Sequence, residues 1–192
     1  MRTSQRILRD VGLLRQKSPG VNLGDLPTFV HNLIWMYQFM VASENLMVVA
    51  EKLATGRLKR YLRTHLEEER DHANWLADDL ATVGVDVTRL PLDRSAVELA
   101  GTQYYLIHHV SPVCLLGYMA TLEGLPFPVK LCDDLEAIHG KDLVRCLRYH
   151  AENDLEHRKE LFEVIDEIND PLIYENAIRT QYLMDERFRA DK

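Results

Sequence analysis

Apolar residues recur at intervals of three and four positions along most of the chain, and this spacing predicts amphipathic α-helices. The sequence shows no strand-like alternation of polar and apolar residues, so we predict an all-α fold. Because the connections are short, the helices are expected to form an antiparallel bundle of about seven. The predicted helices cover 28–54, 57–83, 94–110, 113–124, a short helix within 125–140, 141–168 and 171–189.

One domain over residues 1–192 is expected, because a chain of this length can bury a sizeable core. The first residues are basic and mildly amphipathic, which predicts an N-terminal arm or short helix within 1–25 that packs on the domain. Residues 28–168 are expected to form a metal-binding helical core. A C-terminal helix over 171–190 completes the predicted domain.

Three polar residues interrupt the core-facing positions of the helix predicted for 141–168. They are His150, Asp154 and His157, and Leu147 and Leu161 flank them on the same face. At about 100° per residue, all three side chains point into the bundle. A buried polar network of this kind needs a partner for every member.

Three other predicted helices also carry a carboxylate on the apolar face. Glu44 and Glu123 occupy such positions on two of them, and Glu69 does so on the third. His65 and His72 lie on the same face as Glu69, four positions before it and three after it. Acidic groups from four separate helices therefore face the interior.

The heights of these carboxylates along the bundle also agree. Glu44 and Glu69 lie 12 and 13 residues from Gly56, so an antiparallel hairpin would bring them to the same level. Glu123 and Asp154 are placed similarly about the next break in the helical pattern. The four carboxylates are therefore expected to converge.

Converging carboxylates in an apolar interior would repel one another and take up protons unless cations lie between them. Lysine and arginine are scarce on these faces, which disfavours a salt-bridge network. Two divalent ions would balance four carboxylates, and neutral imidazoles would complete the coordination. The spacing E…E-x-x-H…E…D-x-x-H is that of bundle di-iron sites. Mixed carboxylate and imidazole ligands suit iron or manganese.

The stretch YHAENDLEH and the glutamate after YMATL resemble the heme-oxygenase-like diiron oxidase and oxygenase superfamily. That superfamily shares its fold with thiaminase-II-like proteins and pyrroloquinoline-quinone synthase. The resemblance extends over about residues 28–168, and its most specific part is H-x-x-x-D-x-x-H at 150–157. It implies a compact seven-helix heme-oxygenase-like bundle that holds two Fe(II) ions, or manganese, and uses O2 as co-substrate. The implied ligands are Glu44, His72, Glu123, His150, Asp154 and His157, with Glu69 as the carboxylate of the second helix.

The assignment of the second helix leaves two alternatives open. Glu68 also faces inward enough to compete with Glu69 as the ligand. His65 lies where relatives can use a carboxylate. We therefore expect it to be either an alternate metal ligand or a residue that contacts the ligands without binding the metal itself.

The resemblance implies an oxidoreductase in which two ferrous ions reduce O2 so that it attacks a small organic metabolite, such as an amino acid, an amine or a fatty acid. A ferritin-like iron-oxidising protein fits the same carboxylate spacing, although His150 is not part of the simple ferritin pattern. A metal-free, thiaminase-II-like enzyme of the same fold is the third alternative. No catalytic residue beyond the metal site is predicted.

Five aromatic residues are candidates for the wall of a substrate pocket, although aromatic residues at helical spacing also serve an ordinary core. They are Trp35, Tyr37, Tyr104, Tyr105 and Tyr118.

Charge and cysteine usage narrow the class of protein further. The formal net charge of −7 argues against a general nucleic-acid binder, which needs a basic face. Three cysteines without a CxxC pair predict reduced thiols and a cytoplasmic protein. No apolar run approaches the roughly 18 residues needed to span a bilayer, so no membrane association is expected. A homodimer is the expected oligomer.

Overall fold

The computed structural model describes residues 1–190, without the side chains of 188–190, and within that range it contains nine α-helices and no strand. The all-α prediction is confirmed. The helices span Thr3–Arg15 (α1), Leu26–Leu53 (α2), Gly56–Glu68 (α3), His72–Ala81 (α4), Arg94–His109 (α5), Leu115–Leu122 (α6), Val129–His139 (α7), Arg145–Ile168 (α8) and Pro171–Ala190 (α9). Short 3₁₀ turns cover Val87–Arg89 and Pro112–Cys114.

Side-chain caps fix the first turns of two helices. Asp25 caps α2 by accepting a hydrogen bond from the Thr28 backbone N–H at 3.1 Å. Asp93 caps α5 in the same way, with the Ser95 N–H at 2.8 Å. Pro112 lies just after α5 and begins a new turn, because proline cannot continue the hydrogen-bond ladder.

Within residues 1–190 the structure contains two more helices than the seven that the sequence predicts. The N-terminal arm forms α1, which packs on α9 and α8. The helix predicted for 57–83 is interrupted at 69–71, where Asp71 adopts a left-handed conformation with φ of 69°. Aspartate tolerates this conformation better than most residues. The interruption separates α3 from α4 and falls within the predicted metal site.

A close helix crossing holds α6 against α9. A Cβ atom built on Gly117 would overlap the Ile173 carbonyl oxygen and lie 2.8 Å from the Ala177 nitrogen. The backbones therefore approach closely enough that this position requires glycine. The crossing fixes the end of α6, from which Glu123 projects.

Two clusters of buried apolar side chains form the interior. The larger one includes Leu46 and Leu116, and the smaller one includes Leu33 and Leu80. Met36 and Met40 of α2 contact both clusters, and both methionines also line the cavity described below.

Helix α2 differs from the expectation that no segment could span a bilayer. It is 28 residues long, and its most apolar 18-residue window has a mean hydropathy of 1.3 although Gln38 interrupts it. By length and composition it is the one helix in residues 1–190 that could cross a membrane. In this fold it packs against α3, α4 and α5, and several of its apolar side chains line the cavity.

Candidate metal centre

Five of the seven predicted ligands, together with His65, form two clusters between the helices. Each cluster contains three residues whose ligand atoms lie within 4.8 Å of one another. The first cluster consists of His65, Glu123 and His157, and the second of Glu69, His72 and His150.

The first cluster joins the last turn of α3, the end of α6 and the middle of α8. His65 is almost completely buried, and its Nε2 lies 3.2 Å from Glu123 Oε1. The rings of His65 and His157 contact edge to face, with centroids 5.3 Å apart. The sequence does not decide whether His65 is a ligand or a residue that contacts the ligands. In the structure its ring nitrogen lies beside Glu123, which is a predicted ligand.

The second cluster lies at the start of α4 and on α8. His72 Nδ1 lies 2.9 Å from Glu69 Oε2, and the rings of His72 and His150 have centroids 5.1 Å apart. Trp75 and Tyr149 also contact the His72 ring, at centroid distances of 4.4 and 5.0 Å. These rings restrict the orientation of His72.

Glu69 connects the two clusters. One oxygen contacts His72, while the other lies 3.4 Å from His157 Nδ1. Its neighbour Glu68 is exposed and stays 3.8 and 3.9 Å from His157 and His65. The geometry therefore favours Glu69 over Glu68 as the carboxylate that joins the two clusters.

The break between α3 and α4 produces this position of Glu69. The residue follows α3 as its C-terminal cap, and its carbonyl accepts a hydrogen bond from the His72 N–H at 3.3 Å. Glu44 of α2 supports the break by accepting the Asp71 N–H at 3.1 Å. Glu44 thus lies beside the centre, although it is outside both three-residue clusters.

Asp154 is also predicted as a ligand, and in this structure it contacts His150. Its Oδ1 lies 3.2 Å from His150 Nδ1, and the residue is 5% exposed. A carboxylate on one imidazole nitrogen fixes the ring and leaves the other nitrogen for a metal. The other nitrogen, Nε2, is buried and has no hydrogen-bond partner.

The carboxylates raise the pKa of two buried imidazoles. Burial acts to lower the pKa of His65, but Glu123 outweighs it and raises the pKa to about 9. Burial also opposes the charged form of His150, and Asp154 overcomes it, so that the pKa rises to about 11. The centre thus attracts positive charge, which protons or metal ions can provide.

Glu69 shows the converse effect. Burial acts to raise its pKa, but the hydrogen bond with His72 and the nearby His150 lower the pKa to about 2. The carboxylate is therefore held in its charged form, which is the form that binds metal.

Four buried polar atoms of the centre have no hydrogen-bond partner within the described residues, which is rare in folded proteins. They are Glu69 Oε1, Glu123 Oε2, His150 Nε2 and His157 Nδ1. Each can act as a metal ligand, and the mixed oxygen and nitrogen donors suit iron or manganese. The residues present therefore fit a pair of such ions.

A cavity of about 380 Å³ adjoins the centre. Six of the seven predicted ligands contribute to its wall, and the exception is His157. Most of the remaining wall is apolar, as is usual for a site that binds a small organic molecule. Apolar residues in the wall include Trp35, Phe39, Met47, Met119, Leu122 and Phe127.

Two of the five proposed aromatic residues line this cavity. Trp35 donates a hydrogen bond to Ser95 Oγ at 2.9 Å, and the Tyr118 hydroxyl lies 2.7 Å from Ser43 Oγ. The other three residues do not contribute to the wall of this cavity. Tyr37 and Tyr104 pack against the hydrophobic clusters, and Tyr105 is largely exposed on α5.

Several polar residues of the wall are not predicted by the sequence pattern. Arg15 and Ser18 come from α1 and the segment after it, and Gln181 and Asp185 come from α9. Both segments were expected to lie outside the metal-binding core. The only sequence signal is the occurrence of polar residues on a partly apolar helical face, which is too common to identify a site.

No protein-family description matches the sequence, and no curated protein matches it. Two solved structures are similar to the fold. The first is a domain of unknown function with a heme oxygenase-like fold from Shewanella denitrificans, with a TM-score of 0.73 and 14% identity over 97% of this chain and 86% of that chain. The second is a TenA homolog from Pseudomonas syringae pv. tomato, with a TM-score of 0.67 and 15% identity over 98% of this chain and 88% of that chain.

These likenesses establish that the chain has the heme oxygenase-like fold. The fold predicted from the sequence is confirmed. Proteins of one fold can catalyse different reactions, so the chemistry has to be argued from the site itself.

Proposed function

We propose that the protein is an O2-activating non-heme diiron oxidase or oxygenase that acts on a small organic metabolite. The observation that carries the proposal is the pair of three-residue clusters joined by Glu69, with four buried ligand atoms that lack a hydrogen-bond partner. The adjoining apolar cavity supports the proposal, because an oxidant formed beside it would act on a substrate shielded from water.

His65, Glu123 and His157 would hold one ion, and His72 and His150 the other, with Glu69 between them. Two Fe(II) ions, or manganese, would supply the electrons that reduce O2. Asp154 keeps the His150 ring in place, and Glu44 stabilises the break that positions Glu69. Both carboxylates also line the cavity.

A metal-free, thiaminase-II-like enzyme is the second candidate, and the likeness to the TenA homolog favours it. It leaves Glu123 Oε2 and His150 Nε2 buried without a hydrogen bond, whereas Glu69 Oε1 and His157 Nδ1 lie 3.4 Å from each other. A ferritin-like role is less well supported, because α6 ends at Leu122 and the chain turns before α7. The proposed enzyme is cytoplasmic and homodimeric and requires no nucleic acid or membrane.

The experiment that tests the proposal loads the purified protein with Fe(II) under anaerobic conditions and then adds O2. We expect a transient visible absorption band, and we expect the right metabolite to accelerate its formation. Iron-dependent O2 consumption should accompany the band. If the protein binds no iron and still converts a thiamin-like compound, the metal-free candidate is correct instead.

A further inference from the structure

One part of the cavity wall carries two opposite charges that the proposed metal chemistry does not use. Arg15 at the end of α1 and Asp185 of α9 both line the cavity. Gln181 lies between them, accepting a hydrogen bond from Arg15 Nε at 3.0 Å and donating one to Asp185 Oδ1 at 2.9 Å. We call these three residues the polar strip.

Arg15 is a largely buried cation without a carboxylate in direct contact. Its guanidinium donates to Gln181, to the Leu125 carbonyl oxygen at 2.9 Å and to the Thr121 carbonyl oxygen. A guanidinium has five N–H groups, so two remain, one on each terminal nitrogen. No carboxylate of the described residues forms an ion pair with it, and burial lowers its pKa while Asp185 acts to raise it.

Asp185 offers the complementary charge. It is 7% exposed, and its Oδ1 accepts hydrogen bonds from both Ser18 Oγ at 2.5 Å and Gln181. Its second oxygen, Oδ2, has no hydrogen-bond partner within the described residues. A carboxylate oxygen that accepts no hydrogen bond from the protein favours a cationic donor.

The charges of Arg15 and Asp185 lie close together, because the side-chain amide of Gln181 forms hydrogen bonds with both residues. Groups this close can be matched by neighbouring substituents of one small molecule. The strip itself has no net charge, so a ligand that is only an anion or only a cation would leave one buried charge uncompensated. A zwitterion would pair both.

We propose that the polar strip binds the head group of an α-amino acid with an apolar side chain, the carboxylate against Arg15 and the ammonium group against Asp185. The apolar side chain would occupy the rest of the cavity, beside Trp35, Phe39 and Met47. This inference rests on the proposed function only in placing the substrate in the same cavity. It names the substrate class of that site.

Binding to the metal-free protein tests the inference separately from the diiron chemistry. Four probes with the same eight-carbon chain are compared by titration calorimetry: 2-aminooctanoate, octanoate, octylamine and octanol. We expect 2-aminooctanoate to bind most tightly, at least about tenfold more tightly than octanol, because each charged hydrogen bond contributes a factor of this order. Equal binding of octanol and 2-aminooctanoate, or tightest binding of octanoate or octylamine, would overturn the proposal.

Two variants locate the head group. Arg15→Gln should weaken 2-aminooctanoate and octanoate by about tenfold to a hundredfold and leave octylamine unchanged. Asp185→Asn should weaken 2-aminooctanoate and octylamine and leave octanoate unchanged. Arg9→Gln on α1 and Glu186→Gln on α9 are the matched controls, because neither residue lines the cavity.

Arg15 also ties α1 to the end of α6, so helical content and melting temperature are measured for every variant. If Arg15→Gln fails to fold, the test depends on Asp185→Asn alone: weaker binding of 2-aminooctanoate and octylamine with unchanged binding of octanoate supports the proposal, and any other pattern contradicts it. Loss of all four probes in a folded variant would show a general change of the cavity and would contradict the assignment. Selective binding of the amino acid by a protein that takes up no iron would support the strip while contradicting the diiron proposal.

Discussion

Glu69→Gln is expected to remove most iron from the protein and to lower iron-dependent O2 consumption at least about 100-fold. The carboxylate contacts both clusters, through Oε2 to His72 and Oε1 to His157. An amide keeps the shape but loses the negative charge and one of the two acceptor oxygens. Replacing even the residues that support ligands costs about 10- to 100-fold in affinity or activity, so a shared ligand should cost more. Iron per chain and O2 uptake by an electrode are the measurements.

Glu68→Gln is the matched control, since it makes the same chemical change one residue earlier on an exposed side chain. We expect iron content and O2 consumption within about twofold of the wild-type protein, because surface charges in water contribute little. A larger loss for Glu68→Gln than for Glu69→Gln would reverse the assignment of the ligand on this segment.

His65→Ala should leave one iron per chain and abolish O2 consumption. His65 belongs to the cluster with Glu123 and His157, whereas His72, His150 and Glu69 form the other. Removal of one imidazole should empty the first position and preserve the second. O2 consumption should cease because the proposed chemistry takes electrons from both ions.

The exposed His31 on α2 provides the control for this variant, and His31→Ala should retain two ions and full activity. Because His65 is buried, circular dichroism has to show unchanged helical content before the iron count is interpreted. Two ions in a folded His65→Ala protein would mean that His65 contacts the ligands but does not bind a metal ion.

Several of the candidate ligands lie close together as the sequence predicts, because they lie on regular helices. His150, Asp154 and His157 occupy one face of α8 as helical periodicity requires. Glu123, which the sequence predicts within the helix 113–124, follows α6 as its C-terminal cap. Each of these positions depends on local spacing, which a sequence shows directly.

Helical periodicity does not predict the side-chain directions correctly at residues 69–71, because the helix is interrupted there. Periodicity assumes one continuous helix, so it places Glu68 and Glu69 on nearly equivalent inward positions. The left-handed Asp71 changes the direction of the chain, buries Glu69 and leaves Glu68 at the surface. No glycine or proline marks the break, and an aspartate before a helix is the only local signal.

The cavity depends on contacts between segments that are distant in the sequence. Helix α1 packs on α9, which brings Arg15 within 3.0 Å of Gln181 across 166 positions. Tyr105 illustrates the opposite case, since an aromatic residue at helical spacing points away from the cavity. Periodicity identifies an apolar face but does not indicate which neighbour covers it.

The central claim is that each of the two clusters holds one metal ion, and anomalous X-ray scattering at the iron edge tests it most directly. Crystals of protein loaded with Fe(II) are predicted to give two peaks, one among His65, Glu123 and His157 and the other among Glu69, His72 and His150. Glu69 should lie between the peaks. The absence of both peaks in crystals grown from iron-loaded protein, or peaks only on surface carboxylates such as Asp133 and Asp134, would contradict the account.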